Sequence, residues 1–191
     1  MIRQDISNTL IHLTRDLDGL TAENVFRKII KEKSLKGSSI NIRGKHNCIC
    51  FSETPISAIG QILAQKIGDF HYSPFGFMFS KKQLFDLGAR PVIYQPESDF
   101  ELLPEKLQFR HVRFEINSKD WTWEREWRLN TNELKLSPET VTLIVPQRRI
   151  IDQMKEEIAQ HNFAVSIALE GIPVGHRKLE WHFIALENLG Y

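Results

Sequence analysis

Three consecutive segments with different hydrophobic periods constrain this fold more than any other feature. "TVTLIVP" (140–146) is an unbroken, β-branched apolar run with the length of a buried strand. "QRRIIDQMKEEIAQHN" (147–162) brings Ile150, Ile151, Met154 and Ile158 to one side at helical spacing. "FAVSIAL" (163–169) then reads as a second strand. A strand-helix-strand unit obliges the chain to build a sheet with at least one helix packed upon it.

The remaining segments alternate less regularly. "NTLIHLT" (8–14) reads as a strand, and "TAENVFRKIIKEKSL" as a helix capped by Thr21, with Val25, Phe26, Ile29 and Ile30 on one face. "NCICFSE" (47–53) is a strand leading into "TPISAIGQILAQKI". There Thr54 as N-cap and Pro55 start a helix lined by Ile56, Ile59, Leu63 and Ile67. "YSPFGFMFSK" (72–81) reads as a strand, "KQLFDLG" as a short helix closed by glycine, and "RPVIYQP" (90–96) as a strand between prolines. A helix is expected around Glu105 to Arg113. "WTWEREWRL" (121–129) reads as a strand, and "KLEWHFIAL" as strand or helix. Short strands interleaved irregularly with helices point to a single α+β domain over residues 1–191. No Gly-rich phosphate loop is present, which argues against a Rossmann or P-loop nucleotide site.

Hydrophobic residues are 41% and charged residues 26% of the 191, the balance of a globular protein, and the formal charge of +1 gives no global field toward nucleic acid or membrane. The opening "MIRQDISNTL" lacks an apolar signal run, and no segment approaches membrane-spanning length. Cys48 and Cys50, the only cysteines, are too few for a disulfide framework or a zinc site. No metal and no membrane are therefore expected, and a reducing cytoplasm is the simplest location.

Three constellations carry chemistry. In "DWTWEREWRL" (120–129), strand alternation puts Glu124, Glu126 and Arg128 on one face and Trp123, Arg125 and Trp127 on the other. Two carboxylates about 6–7 Å apart along a strand can serve one ligand, and their repulsion raises one pKa where the site is partly dry. The plainer alternative is a surface strand whose charges pair with neighbours. In "IHLTR" (11–15), His12 and Thr14 point the same way and suit a ribose diol, while Arg15 suits a phosphate. The alternative is an internally bonded histidine and a solvated arginine. In "CFSETP" (50–55), Ser52 and Thr54 share a face and Glu53 looks away; Thr54 has the capping role, and Ser52 is left to position ligand oxygens.

In chain order, "HLTR", "CFSETPISAI", "YSPFGFMFSKKQLFDLGARPVIYQP" and "DWTWEREWRL" resemble the abortive-infection AbiGi-like family of bacterial phage-defence proteins, over roughly residues 10–130. The same order is similar to the layout of ADP-ribosyltransferases, which implies split antiparallel β-sheets flanked by helices, with NAD between them as substrate. The resemblance carries His12 (with Thr14) or Arg15 to the first-strand position, Ser52 to the central one and Glu126 to the catalytic one. Glu124 would orient or deprotonate the acceptor, and Tyr72 would stack on nicotinamide. "FSET" departs from the Ser-Thr-Ser usual in that group. The implied activity is NAD-dependent mono-ADP-ribosyl transfer by a toxin or effector onto a nucleic acid or protein, with an antitoxin or chaperone as protein partner. Two alternatives compete with it. One is a non-enzymatic antitoxin or sensor module binding through the tryptophans. The other is a nuclease using "SKK" (80–82) and "QRR" (147–149), which the scarcity of grouped acids disfavours.

Overall fold

The computed structural model describes residues 6–65, 72–168 and 176–190. In chain order the elements are β1 (Thr9–Leu13), α1 (Ala22–Glu32), β2 (Ser34–Lys36), β3 (Cys48–Ser52), α2 (Ile56–Gln65), β4 (Gly76–Ser80) and α3 (Lys81–Asp86). They continue with β5 (Arg90–Pro91), β6 (Ile93–Gln95), β7 (His111–Arg113), β8 (Glu126–Asn130), β9 (Glu133–Lys135), β10 (Val141–Val145), α4 (Arg148–Ala168) and β11 (His182–Ala185). Seven strands form one sheet in the order β11-β10-β4-β1-β3-β8-β5, with β2–β9 and β6–β7 as separate two-stranded ribbons. The large sheet is antiparallel except for the β10–β11 pair. The protein is thus a mixed α/β fold around a mostly antiparallel sheet.

Alternation along each strand decides what either face buries. On the first face Leu10, Ile49, Phe51, Phe77, Phe79, Trp127, Leu129 and Leu143 form the main core against Phe26 of α1 and Ile150 and Met154 of α4. On the second face Ile11 and Ile144 meet Ile59 of α2 and Leu186, with Leu13, Ile56, Leu63 and Met78 around them. That apolar cover spans only the β10–β4–β1 half. On the β3–β8 half, the same face carries Cys50, Ser52, Glu126 and Arg128, which frees it for polar chemistry.

The two halves meet weakly. β1 pairs with β4 over five residues, but with β3 only through Ile11 and Ser52. Gly76 makes the β1–β4 approach possible, since a Cβ there would lie 2.6 Å from the His12 carbonyl oxygen.

Several elements differ from the sequence expectation. Residues 163–168 continue α4 instead of forming a strand; Leu169 and the helix-lining Ile67 lie outside the described residues. No breaker follows Asn162, and the Ser166 hydroxyl bonds back to the Asn162 carbonyl at 2.9 Å, a helical spacing. The parallel partner that closes the strand-helix-strand unit is β11. The run 90–96 splits into β5 and β6, in different sheets: the Val92 amide still bonds the Glu126 carbonyl at 2.9 Å, in register with the β5–β8 pairing, and from Ile93 the chain pairs with β7 instead. The helix expected over 105–113 is a 3₁₀ turn, Glu105–Arg110, running into β7. Thr54 does not cap α2: its hydroxyl donates to the Trp123 carbonyl at 2.5 Å, and the Pro55 carbonyl receives the first amides of the helix. Among the described residues no helix is long and apolar enough to cross a membrane.

Candidate active site

The site lies at the ends of β3 and β8 where β1 turns away. Ser52 pairs directly with Glu126, and Cys50 with Arg128. Arg128, 5% exposed, donates from Nε to Glu126 Oε1 at 2.7 Å and from Nη2 to Oε2 at 3.2 Å. Its Nη1 is held by the carbonyls of Phe109 and His111 at 2.7 and 3.2 Å, so the guanidinium is fixed from both sides. A bidentate pair of this kind pins Glu126 in one orientation. Cys50 lies beside the same carboxylate on the neighbouring strand, and burial first, then the charge of Glu126, pushes its pKa up, which favours the protonated thiol.

Glu124 is not on the strand. Residues Thr122–Glu124 form a 3₁₀ turn and Arg125 adopts a left-handed conformation with φ 46°, so β8 begins only at Glu126. The expected face-sharing of Glu124 with Glu126 therefore does not arise from strand alternation. The Asp120 carboxylate starts the turn by accepting the Thr122 amide at 2.9 Å. Even so, the turn leaves Glu124 close to its neighbour. Burial, followed by the charge of Glu126 and offset in part by Arg128, raises the Glu124 pKa to about 7. Among the described residues its carboxylate has no hydrogen-bond partner. The result is one carboxylate in an ion pair beside a second with a neutral-range pKa.

The other expected residues divide. The Ser52 hydroxyl donates to the Glu124 carbonyl at 2.5 Å, which puts it inside the site as a tie to the carboxylate-bearing turn. Tyr72 stands at the rim, 37% exposed; burial, then Glu124, Cys50 and Glu126, pushes its phenol pKa upward. The neighbouring Ser73 amide bonds the Thr14 carbonyl at 2.9 Å and fastens this segment to the end of β1. By alternation, His12 shares the core face of Leu10, opposite to Ser52 and Glu126, so the expected grouping of His12 with those residues does not arise. Its ring lies edge-on to Phe51, and Nδ1 meets the Cys50 carbonyl at 2.8 Å, spanning the gap between β1 and β3. Burial, together with Arg15, keeps its pKa below the usual imidazole value. Arg15 is exposed just beyond. Thr14 is likewise outside the site: it is buried, with its hydroxyl within 3.0 Å of the Phe75 carbonyl and 3.2 Å of that of Ala22. Glu53 looks to the opposite face, where it accepts from Lys81 at 2.6 Å and Trp127 Nε1 at 2.9 Å.

Sequence reasoning missed Tyr94 and gave Cys50 and Arg128 no role in the site. Tyr94 OH accepts the Glu126 amide at 3.0 Å and donates to the Trp121 carbonyl at 3.2 Å; burial raises its pKa to about 12 and keeps it protonated. Cys50 and Arg128 were legible from strand period, since they flank Ser52 and Glu126 at i ± 2. Tyr94 had no local signal, for it arrives from a separate ribbon.

Fold and site together define an α/β protein whose mostly antiparallel sheet gathers a carboxylate pair, an arginine and hydroxyl groups at the ends of the paired strands β3 and β8. Compared with protein families, curated proteins and solved structures, the chain finds no match in any of the three.

Proposed function

We propose that this chain is an NAD-dependent mono-ADP-ribosyltransferase, acting in the bacterial cytoplasm as a toxin or effector of anti-phage defence on a nucleic acid or protein acceptor. The observation that carries the reading is the unequal carboxylate pair at the start of β8, beside the end of β3. Glu126 is ion-paired with Arg128, while Glu124 beside it has a pKa of about 7. Two further features support it. First-, central- and late-strand residues of an ADP-ribosyltransferase layout fall on neighbouring strands β1, β3 and β8. The lone β1–β3 residue pair also divides the sheet in the manner of a split one.

NAD supplies a glycosidic bond whose cleavage gives a sugar transition state of oxocarbenium character, with the bonding electrons leaving on nicotinamide. The donor set fits such a substrate: Arg15, exposed past the end of β1, would hold the pyrophosphate, and the half-open Tyr72 ring would face nicotinamide. His12, on the core face of β1 beside Phe51, lies on the other side of the sheet from Glu126 and is not part of this set. Glu126 holds negative charge where the sugar becomes positive and accepts from its 2′-hydroxyl. Glu124 takes the proton of the acceptor as the acceptor's lone pair bonds the anomeric carbon, a task suited to a base titrating near neutrality. Arg128 keeps Glu126 oriented.

Fixed charge of this type contributes a few kcal/mol to a transition state, so Glu126→Gln is expected to slow transfer roughly a hundredfold or more. Incubating pure protein with labelled NAD and cell extract measures this, and transfer undiminished in the variant removes Glu126 from its role. Expression in cells separates the binding-module alternative. A transferase toxin arrests growth only with Glu126 intact, whereas a binding module is harmless.

A further inference from the structure

The turn that bears Glu124 closes by itself: the Glu124 amide bonds the Trp121 carbonyl at 3.0 Å and the Arg125 amide that of Thr122 at 3.1 Å. Yet its carbonyls collect further donors from outside. Tyr94 OH reaches that of Trp121 at 3.2 Å, Thr54 Oγ1 that of Trp123 at 2.5 Å, and Ser52 Oγ that of Glu124 at 2.5 Å. The Glu53 amide bonds the Arg125 carbonyl at 3.2 Å. Each flanking hydroxyl also accepts: Ser52 Oγ from the Thr54 amide at 3.1 Å, and Tyr94 OH from the Glu126 amide at 3.0 Å. These bonds are not required to form the turn. What they determine is where it sits relative to β3 and β6. Hydroxyl bonds are short and directional, so several acting from different sides leave little freedom to the side chain between them.

We propose that Ser52, Thr54 and Tyr94 are positioning residues that lock the 121–125 turn between β3 and β6 and thereby hold the Glu124 carboxylate beside Glu126. This rests on the reading of Glu124 as the acceptor's base, but its test needs no substrate. Among the described residues, the charged and titratable groups that act on that carboxylate are Glu126 and Arg128 of β8, Tyr94 of β6 and Tyr72 ahead of β4. None of them is altered by a change at Thr54. A turn released from its ties moves Glu124 outward into water and away from Glu126, which removes both causes of its raised pKa.

The experiment is a carboxyl-carbon NMR titration of the full chain with labelled glutamate, the Glu124 signal being assigned by its loss in Glu124→Gln. Thr54→Val preserves the buried shape and deletes the hydroxyl, while Thr54→Ser retains it. Wild type and Thr54→Ser are expected to titrate Glu124 near 7. Thr54→Val is expected to bring it down toward the ordinary carboxylate range. Tyr94→Phe, away from the buried Thr54 position, is expected to do the same and is decisive if the valine variant does not fold. Variants that melt earlier with the titration unmoved overturn the proposal, as does a wild-type Glu124 that titrates as a free glutamate. Where transfer activity exists, the loss in Thr54→Val should fall on kcat with KM little changed. A normal NMR result with no transfer rejects the enzymatic reading and leaves the positioning intact.

Discussion

Glu124 makes the protein's stability depend on pH. Its pKa rises from the ordinary 4.5 to about 7 on folding, so the folded state binds a proton more tightly than the unfolded chain. The stabilisation linked to that proton is complete below 4.5 and is lost as pH rises through 7. The full shift corresponds to about 3 kcal/mol, and solvent screening at a partly open site lowers this to ~1–3 kcal/mol. Glu124→Gln, neutral at every pH, should therefore match wild type at about pH 4 and exceed it by ~1–3 kcal/mol at about pH 8. Urea unfolding at the two pH values checks this, and equal stabilities at the higher one would contradict it. The crowding of acids in "WEREWR" made a repelling pair legible in the sequence. The reason for their nearness was not legible, because it comes from hydroxyls 27 to 72 residues away in the chain.

Elements with strong internal periodicity were readable: β1, α1 with its Thr21 cap, β3, β10 and the first turns of α4 stand where their patterns indicate. Those governed by distant partners were not. Thr54 has the local signature of a helix cap but lies below a carbonyl that needs its hydroxyl more. The run 90–96 divides after Val92 because Val92 stays with β8 while Ile93 finds its partner in the distant β7. Residues 163–168 satisfy strand and helix propensity alike, and no neighbouring strand is there to choose the former. The ends of α4 consequently contribute unequally. Met154 is packed in the main core, whereas Phe163 is 68% exposed. Met154→Ala should cost about 2–4 kcal/mol, and Phe163→Ala about 0.5 kcal/mol or less, by denaturant midpoints. Comparable losses would mean that the outer half of α4 is packed in solution.

For the molecule as a whole, the important division is on the second face of the sheet, where α2 covers the β10–β4–β1 half and leaves β3 and β8 to the polar site. A ligand seated there touches both halves, whose strand pairing across the line is a single residue pair between β1 and β3. Under the proposed activity, NAD should slow amide hydrogen exchange on both sides of this line at once, at Leu13–Arg15 and at Cys50–Glu53, and in the turn bearing Glu124. Slowing confined to one side would assign the ligand to a different surface. The outer rims of the sheet also differ in kind. β5 is only an arginine and a proline; Pro91 has no amide hydrogen to offer, and its carbonyl already receives Arg110 Nε at 2.9 Å. That margin is chemically sealed against strand addition, so copies of this chain that aggregate by extending the sheet must do so from the β11 side.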